Sequence, residues 1–320
     1  MSAQTTTTPA DAPPAGGWLP TRVDGRIRGV AWANFVGNTV IIATGGAVRL
    51  TGSGLGCPTW PTCTPDSLVP TEELSYHSII EFGNRLMSPL LGLFALALLV
   101  LVWRLRVERR DLFVLSWIVM VGILAQALVG GITVWTGLNP FIVGFHYVAS
   151  LSLVCVTAAL LVRLYTVPGP RVRVVPRWYA ITTHVTTLVL AITIVFGVLT
   201  TGAGPHSGDA AVGRNGFDAE VLEHVHAWPG YALLALTVFL TVAAWLRHLP
   251  TRRWITALLA VEVVQILLGI YQARNGLPEL VVGVHMVLAA LTAAAMTVVV
   301  LRLKAPASQA QAPAVHTAGS

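Results

Sequence analysis

Charge is what this 320-residue chain has least of. Only 11% of its residues are charged, and 55% are hydrophobic. Soluble domains carry about 25% charged residues, so a soluble globular fold is excluded and a membrane protein is indicated. Lysine is nearly absent: Lys304 is the one basic residue that is not arginine. The first 25 residues are rich in Thr, Ala and Pro and hold no apolar core. That excludes a signal peptide and predicts a disordered tail over 1–27, with a second over 303–320. The net charge of +6 does not mark a nucleic-acid binder, because the basic residues are dispersed among apolar spans. Cysteine is scarce as well, limited to Cys57, Cys63 and Cys155. The first two have only His77 close by, too few ligands for a metal site of their own.

What the chain does have is length of apolar sequence. Eight segments run at about 29–48, 82–103, 112–134, 141–162, 178–200, 225–246, 254–273 and 280–301. Each approaches the roughly 20 residues a helix needs to span a bilayer. Backbone groups in lipid must be satisfied within the segment, so these are helices. Of the basic residues, 16 fall on the side of both termini and four (Arg49, Arg85, Arg214, Arg274) on the other. The positive side is cytoplasmic, which predicts a multi-pass protein of a bacterial plasma membrane with both termini inside.

The chain also repeats itself. Gln126, Gly130, Gly137 and His146 recur as Gln265, Gly269, Gly276 and His285, each 139 positions on. Thr51-Gly-Ser-Gly54 recurs as Thr201-Gly-Ala-Gly204, and Glu81-Phe-Gly-Asn84 as Glu223-His-Val-His226. Repetition of this kind is read before any local motif. Four helices per repeat give both halves one orientation. The expected fold is therefore an all-α integral membrane protein. Its eight transmembrane helices form two four-helix bundles, 28–165 and 166–302, related by a pseudo-twofold axis along the membrane normal.

The outer loop holds Cys57-Pro-Thr-Trp-Pro-Thr-Cys63. In an oxidising compartment these cysteines suit a disulfide, either a structural staple or an exposed bond that exchanges with a thiol partner. Cys155, in helix 4, reads as a small buried residue. Trp60, Trp135 and Trp228 fall at outer boundaries, where interfacial aromatics are common. Among the nine histidines, His316 is in the tail, His248 in a cytoplasmic loop and His184 without a repeat partner; His206 and His224 belong to an outer loop. His146, His226 and His285 open helices 4, 6 and 8, and the matching position in helix 2 is Asn84. A lone histidine there is ordinarily interfacial. Facing imidazoles in a four-helix bundle form a haem site, and intramembrane ionisable groups mark function. Gly144 and Gly283 either leave room for a flat macrocycle or serve helix packing. Glu81 and Asn84 share a helix face. Glu81 is either an acid or base on a bound group or a carboxylate facing helix dipoles. Arg49 and Arg85 suit a propionate or a lipid phosphate. Glu262 has no acidic counterpart in the first repeat.

On these residues the chain resembles the haem A synthase family. The resemblance runs over about 28–302. It rests on the two four-helix halves and on Arg49-Leu-Thr-Gly-Ser-Gly-Leu-Gly-Cys57 leading to Cys63. It rests also on Glu81-x-x-x-Arg85 and on the histidines opening helices 4, 6 and 8. It implies oxidation of a methyl group of haem O to the formyl group of haem A, by two hydroxylations and loss of water. It further implies a haem b held by His226 and His285, and a substrate haem in the N-terminal half beside His146, with Glu81 catalytic and Arg49, Asn84 and Arg85 lining the site. A Cys57–Cys63 pair, an electron acceptor and an upstream haem O synthase as partner are implied too, and an oligomer is compatible. The family motif has His where this chain has Asn84. An amide ligates haem iron poorly, so the expectation is single ligation by His146, with His77 as a substitute only if helix 2 starts early. The competing classes are a di-haem b-type electron carrier and a transporter. Glu81, Asn84 and the cysteine loop at one pocket favour the enzyme over the carrier. Polar groups near one surface rather than the midplane disfavour the transporter.

Overall fold

The computed structural model describes residues 18–71, 75–206, 208–209 and 212–310. Most of both predicted tails, with His316, lies outside the described residues. Eight long helices follow in order: α1 Gly25–Leu50, α2 Tyr76–Leu101, α3 Arg110–Trp135, α4 Pro140–Leu164, α5 Arg177–Ala203, α6 Ala219–Leu246, α7 Arg252–Arg274 and α8 Glu279–Leu301. Local chemistry sets their ends. Asp24 caps α1 by accepting from the Ile27 amide, Asn139 caps α4 with Pro140 at its first turn, and Asp218 accepts from the Glu220 and Val221 amides of α6. The ends of α3 and α7 are one turn made twice. Gly137 and Leu138 take positive φ, as do Gly276 and Leu277, and the Leu amides bond back to Thr133 O at 2.8 Å and Gln272 O at 2.9 Å.

Seven helices, α2 to α8, are long and apolar enough to cross a membrane. The first expected span falls short of that measure. It carries Asn34 and Asn38, both buried, and Asn34 Nδ2 donates to Val30 O and Phe94 O. α1 packs against α2, α4 and α8, and the Phe94 carbonyl on α2 supplies Asn34 with a partner that lipid cannot.

Contacts join α1 to α2, α2 to α3, α3 to α4 and α4 back to α1. The same ring closes through α5, α6, α7 and α8. The two rings meet through α4·α8, α1·α8 and α4·α5. Tyr147 Oη donates to Met286 O at 2.8 Å across the α4·α8 seam. The all-helical expectation misses one detail. Lys304–Pro306 (β2), expected in a disordered tail, pairs antiparallel with Arg171–Arg173 (β1), and Ala307–Ala310 forms a short helix α9. Strand pairing supplies the backbone partners that a composition rich in Ala and Pro does not reveal.

Buried apolar residues concentrate toward the end away from the cysteine loop. One cluster there joins Ile27, Leu98, Leu105, Leu112 and Leu160, and another joins Tyr179, Leu240, Ile255, Leu258 and Met296. Leu124, Leu128, Leu188 and Leu267 remain exposed, as a lipid-facing surface requires.

Candidate functional site

Nearly complete burial of side chains lapses at one level of the helices. Among the described residues, α2 fully buries none between Glu81 and Leu91, and α3 none between Ile123 and Gly131. α4 buries none between Gly144 and Leu151, α6 none between Leu222 and Leu233, α7 none beyond Glu262, and α8 none between Val282 and Ala290. Protein interiors are otherwise close-packed. Asn84, His146, His226 and His285 all lie within these gaps, about two turns in from the end that carries the cysteine loop.

In the C-terminal half, His226 of α6 and His285 of α8 face each other, with ring centroids 6.5 Å apart and planes at 80°. His226 Nδ1 lies 2.9 Å from Thr193 O on α5. A carbonyl only accepts, so Nδ1 carries the proton and Nε2 keeps a free lone pair. His285 is fixed through its backbone, whose carbonyl accepts from Gln265 Nε2 at 3.1 Å, while its Nδ1 is buried without a partner. Both rings lie on glycine. A Cβ on Gly197 would stand 2.8 Å from the His226 ring, and one on Gly269 3.1 Å from that of His285. Two facing imidazoles without a third ligand form a donor set for iron already held in a macrocycle. Among the described residues no three His, Cys, Asp or Glu side chains cluster as a bare ion would need.

The N-terminal half repeats part of this. Gln126 Nε2 donates to His146 O at 2.8 Å, His146 Nδ1 is buried without a partner, and its ring lies against Gly130. Asn84 instead accepts from Thr44 Oγ1 at 2.7 Å, beside Gly45. α2 does start early, at Tyr76, yet His77 Nδ1 is 2.8 Å from Ser53 Oγ, which ties it to the outer loop.

Above this half sits the cysteine loop, closed by the Cys57–Cys63 disulfide. Both cysteines are fully buried, so the staple fits and the exposed exchangeable bond does not. Glu81 and Arg85 pin the loop. Glu81 Oε2 accepts from the Cys57 amide at 2.7 Å, and its Oε1 pairs with Arg85. Arg85 also donates to the carbonyls of Cys57, Thr59 and Thr62 at 2.8–3.1 Å. The Trp60 indole stacks edge-on with Trp135 at 5.2 Å and rests where a Cβ on Gly131 would fall. Arg49 spans the halves, donating to Thr201 O at 2.9 Å and His206 O at 2.7 Å.

The sequence suggested two uses for Gly144 and Gly283, and packing is the one realised. Their Cβ positions would meet Val198 on α5 and Leu50 on α1, across the seam. The glycines against the imidazoles are Gly130 and Gly269, already in the repeat, and Gly197, which no sequence signal marked. Pro89 and Pro229 inside α2 and α6 were also missed. His206 Nε2 lies 3.0 Å from Leu277 O, whereas His184, His224 and His248 are exposed. Glu262 accepts from Thr237 Oγ1 at 3.1 Å. Two open surface grooves, of about 450 Å³ between α1 and α2 and 210 Å³ between α4 and α5, hold none of the candidate histidines or Glu81. They are clefts at the lipid boundary and lie apart from the histidine pair.

Known proteins bear on this geometry. The family model for the cytochrome oxidase assembly protein COX15-CtaA matches residues 28–278. The haem A synthase of Lysinibacillus sphaericus is 36% identical over 135 residues, covering 42% of this chain and 43% of that protein. The haem A synthase of Listeria welshimeri is 31% identical over 127 residues, with 39% and 41% covered. That of Alkalihalophilus pseudofirmus is 31% identical over 123 residues, with 38% and 41% covered. The chain thus spans about two fifths of the length of these relatives in the matched stretches. The family match takes in α1 to α7, the cysteine loop and the repeated histidine positions up to the end of α7, and on its extent the chain belongs to the COX15-CtaA family of cytochrome oxidase assembly proteins.

Proposed function

We propose that the chain is a haem A synthase, an oxidoreductase that converts a methyl group of haem O to the formyl group of haem A. The observation that carries this reading is the facing His226–His285 pair, within a chain of this family. The resident group would be a haem b in the C-terminal half. The residues fit it: two imidazoles, one with its Nδ1 proton already engaged, glycine behind each ring, and a buried Nδ1 without a partner. A haem b there supplies one-electron transfer.

Haem O is the substrate of the N-terminal half. His146, backed by Gly130 and oriented through Gln126, is its single imidazole, and Asn84 stays with Thr44, leaving the other face open. Glu81 is the proton-handling group, placed beside Asn84 by helix spacing. Its bonds to Arg85 and the Cys57 amide fix its direction. Arg85 and Trp60 hold the loop as a cover that excludes water. The halves 28–165 and 166–302 are pseudo-twofold related, with the termini cytoplasmic and the cysteine loop outside. The recurring Gln–His carbonyl bonds and the recurring turns after α3 and α7 support that arrangement.

The test is haem extraction and chromatography from cells that make haem O but no haem A, expressing the protein or its Glu81→Ala variant. Haem A with the intact protein alone is the expected result. Haem B alone, with a low-spin spectrum, would make the chain an electron carrier instead.

A further inference from the structure

Glu262 is a buried acidic side chain that the reading above does not use. It lies midway along α7 and is 2% exposed. Its Oε1 accepts one hydrogen bond, from Thr237 on α6, and its Oε2 is buried without a partner. The ion pairs among the described residues are Arg26–Asp24, Arg85–Glu81 and Arg109–Asp111, and none reaches it. A lone carboxylate with one hydrogen bond and no protein cation stays ionised inside a membrane only while another positive charge, such as ferric iron between the imidazoles, stands in the same half; once that charge is neutralised, the carboxyl bearing a proton is favoured.

A second observation connects it to the cofactor site. Gln265 and Gln272 lie three and ten residues further along α7, on the same helical face. Gln265 Oε1, Gln272 Oε1 and His285 Nδ1 are all buried without partners. Together they make a polar file from the loop end of α7, past the imidazole, down to Glu262. The helices packed against α7 are α6 and α8. Their titratable and charged groups are Glu220, Glu223, His224, His226 and Tyr231 on α6, and Glu279 and His285 on α8. Glu220, Glu223, His224 and Glu279 stand at the loop end, and Tyr231 is exposed. Arg252, Arg253 and Arg274 sit at the two ends of α7, and Arg247 just past α6 covers Trp178. His226 and His285 are thus the titratable groups that share the interior with Glu262.

We propose that Glu262 is a proton-binding site, loaded along this polar file when an electron enters the iron between His226 and His285. The proposal rests on the haem reading of that pair. One electron from a one-electron donor reduces ferric to ferrous iron, and one proton from water at the loop surface binds the Glu262 carboxylate. The half gains no net charge, and both leave on reoxidation.

The experiment uses the full-length haem-loaded protein, with dithionite as donor. Reduced-minus-oxidised infrared spectra and redox titrations across the neutral range are compared for the wild type, Glu262→Gln and Glu262→Asp. In the wild type, a protonated-carboxyl carbonyl band that shifts in D2O appears on reduction, and the midpoint potential falls as pH rises. In Glu262→Gln both effects vanish while the low-spin haem spectrum persists, which also shows that the variant folds. In Glu262→Asp the band returns at a shifted frequency. A band and a pH slope unchanged in Glu262→Gln, or absent from the wild type, would overturn the proposal. Low-spin spectra surviving in His226→Ala and His285→Ala would instead overturn the haem reading on which it rests.

Discussion

Two kinds of residue do most to shape the site, an arginine and a set of glycines. Arg85 holds three loop carbonyls and Glu81 at once, and the side chains of the ion pair are only 16% and 6% exposed. Removing one member of a buried pair strands the other charge, which typically costs about 3 kcal/mol. Arg85→Met is therefore expected to lower the melting midpoint in detergent and to speed reduction of the Cys57–Cys63 bond by added thiol. An unchanged reduction rate would mean that the loop is held elsewhere. Gly197 and Gly269 act by having no side chain. A Cβ at either enters contact range of an imidazole, and overpacking of this sort costs about 1–3 kcal/mol, or roughly ten- to hundredfold in haem affinity. Gly197→Ala, with the closer approach, is expected to weaken haem retention more than Gly269→Ala, as read by titration of the low-spin band. The reverse order would point to different ring positions in the loaded protein.

Among the elements, the start of α1 responds to pH through its cap. The Asp24 carboxyl lies below the usual carboxylate range, first because it accepts from the Ile27 amide and then because Arg26 is beside it. A depressed pKa means stabilisation that is present above the unfolded value, near 4, and lost as pH falls through the folded one. Hydrogen exchange at Ile27 and Arg28 should accelerate, relative to the intrinsic rate, as pH drops below about 4. Asp24→Ala should produce the same fraying at neutral pH, at a cost of about 1 kcal/mol, and remove the pH dependence. Helix starts matter for the site as well. α2 begins at Tyr76 and α6 at Ala219, about six residues before their apolar runs, so Glu81, Asn84 and His226 stand on helix, fixed in direction. Apolar sequence marks the part of a helix that lipid or core covers, whereas caps and hydrogen bonds mark where it begins.

At the scale of the whole molecule, a polar contact beside the histidines joins the two rings of helices, in addition to the bonds of Arg49 to Thr201 and His206. Tyr147 and Met286 immediately follow His146 and His285, and the hydroxyl of one donates to the carbonyl of the other. Tyr147→Phe is expected to cost about 1 kcal/mol of thermal stability without displacing either ring system. A larger loss would mean that the seam depends on this bond for its register. Much of the arrangement was legible in the chain. Low charge and apolar runs of bilayer length dictate membrane helices, because a backbone in lipid has no other way to satisfy itself. A strict offset between Gln126…His146 and Gln265…His285 dictates that the same local bonds form twice, because they depend only on residues close in sequence. What the sequence could not decide depended on neighbours distant along the chain. Only packing shows that Gly144 and Gly283 serve the seam while Gly197 backs an imidazole, that buried cysteines sit under an arginine clamp, and that Lys304–Pro306 finds a strand partner. A glycine reads the same in every sequence, and the atom that would meet its missing Cβ is chosen by the tertiary fold.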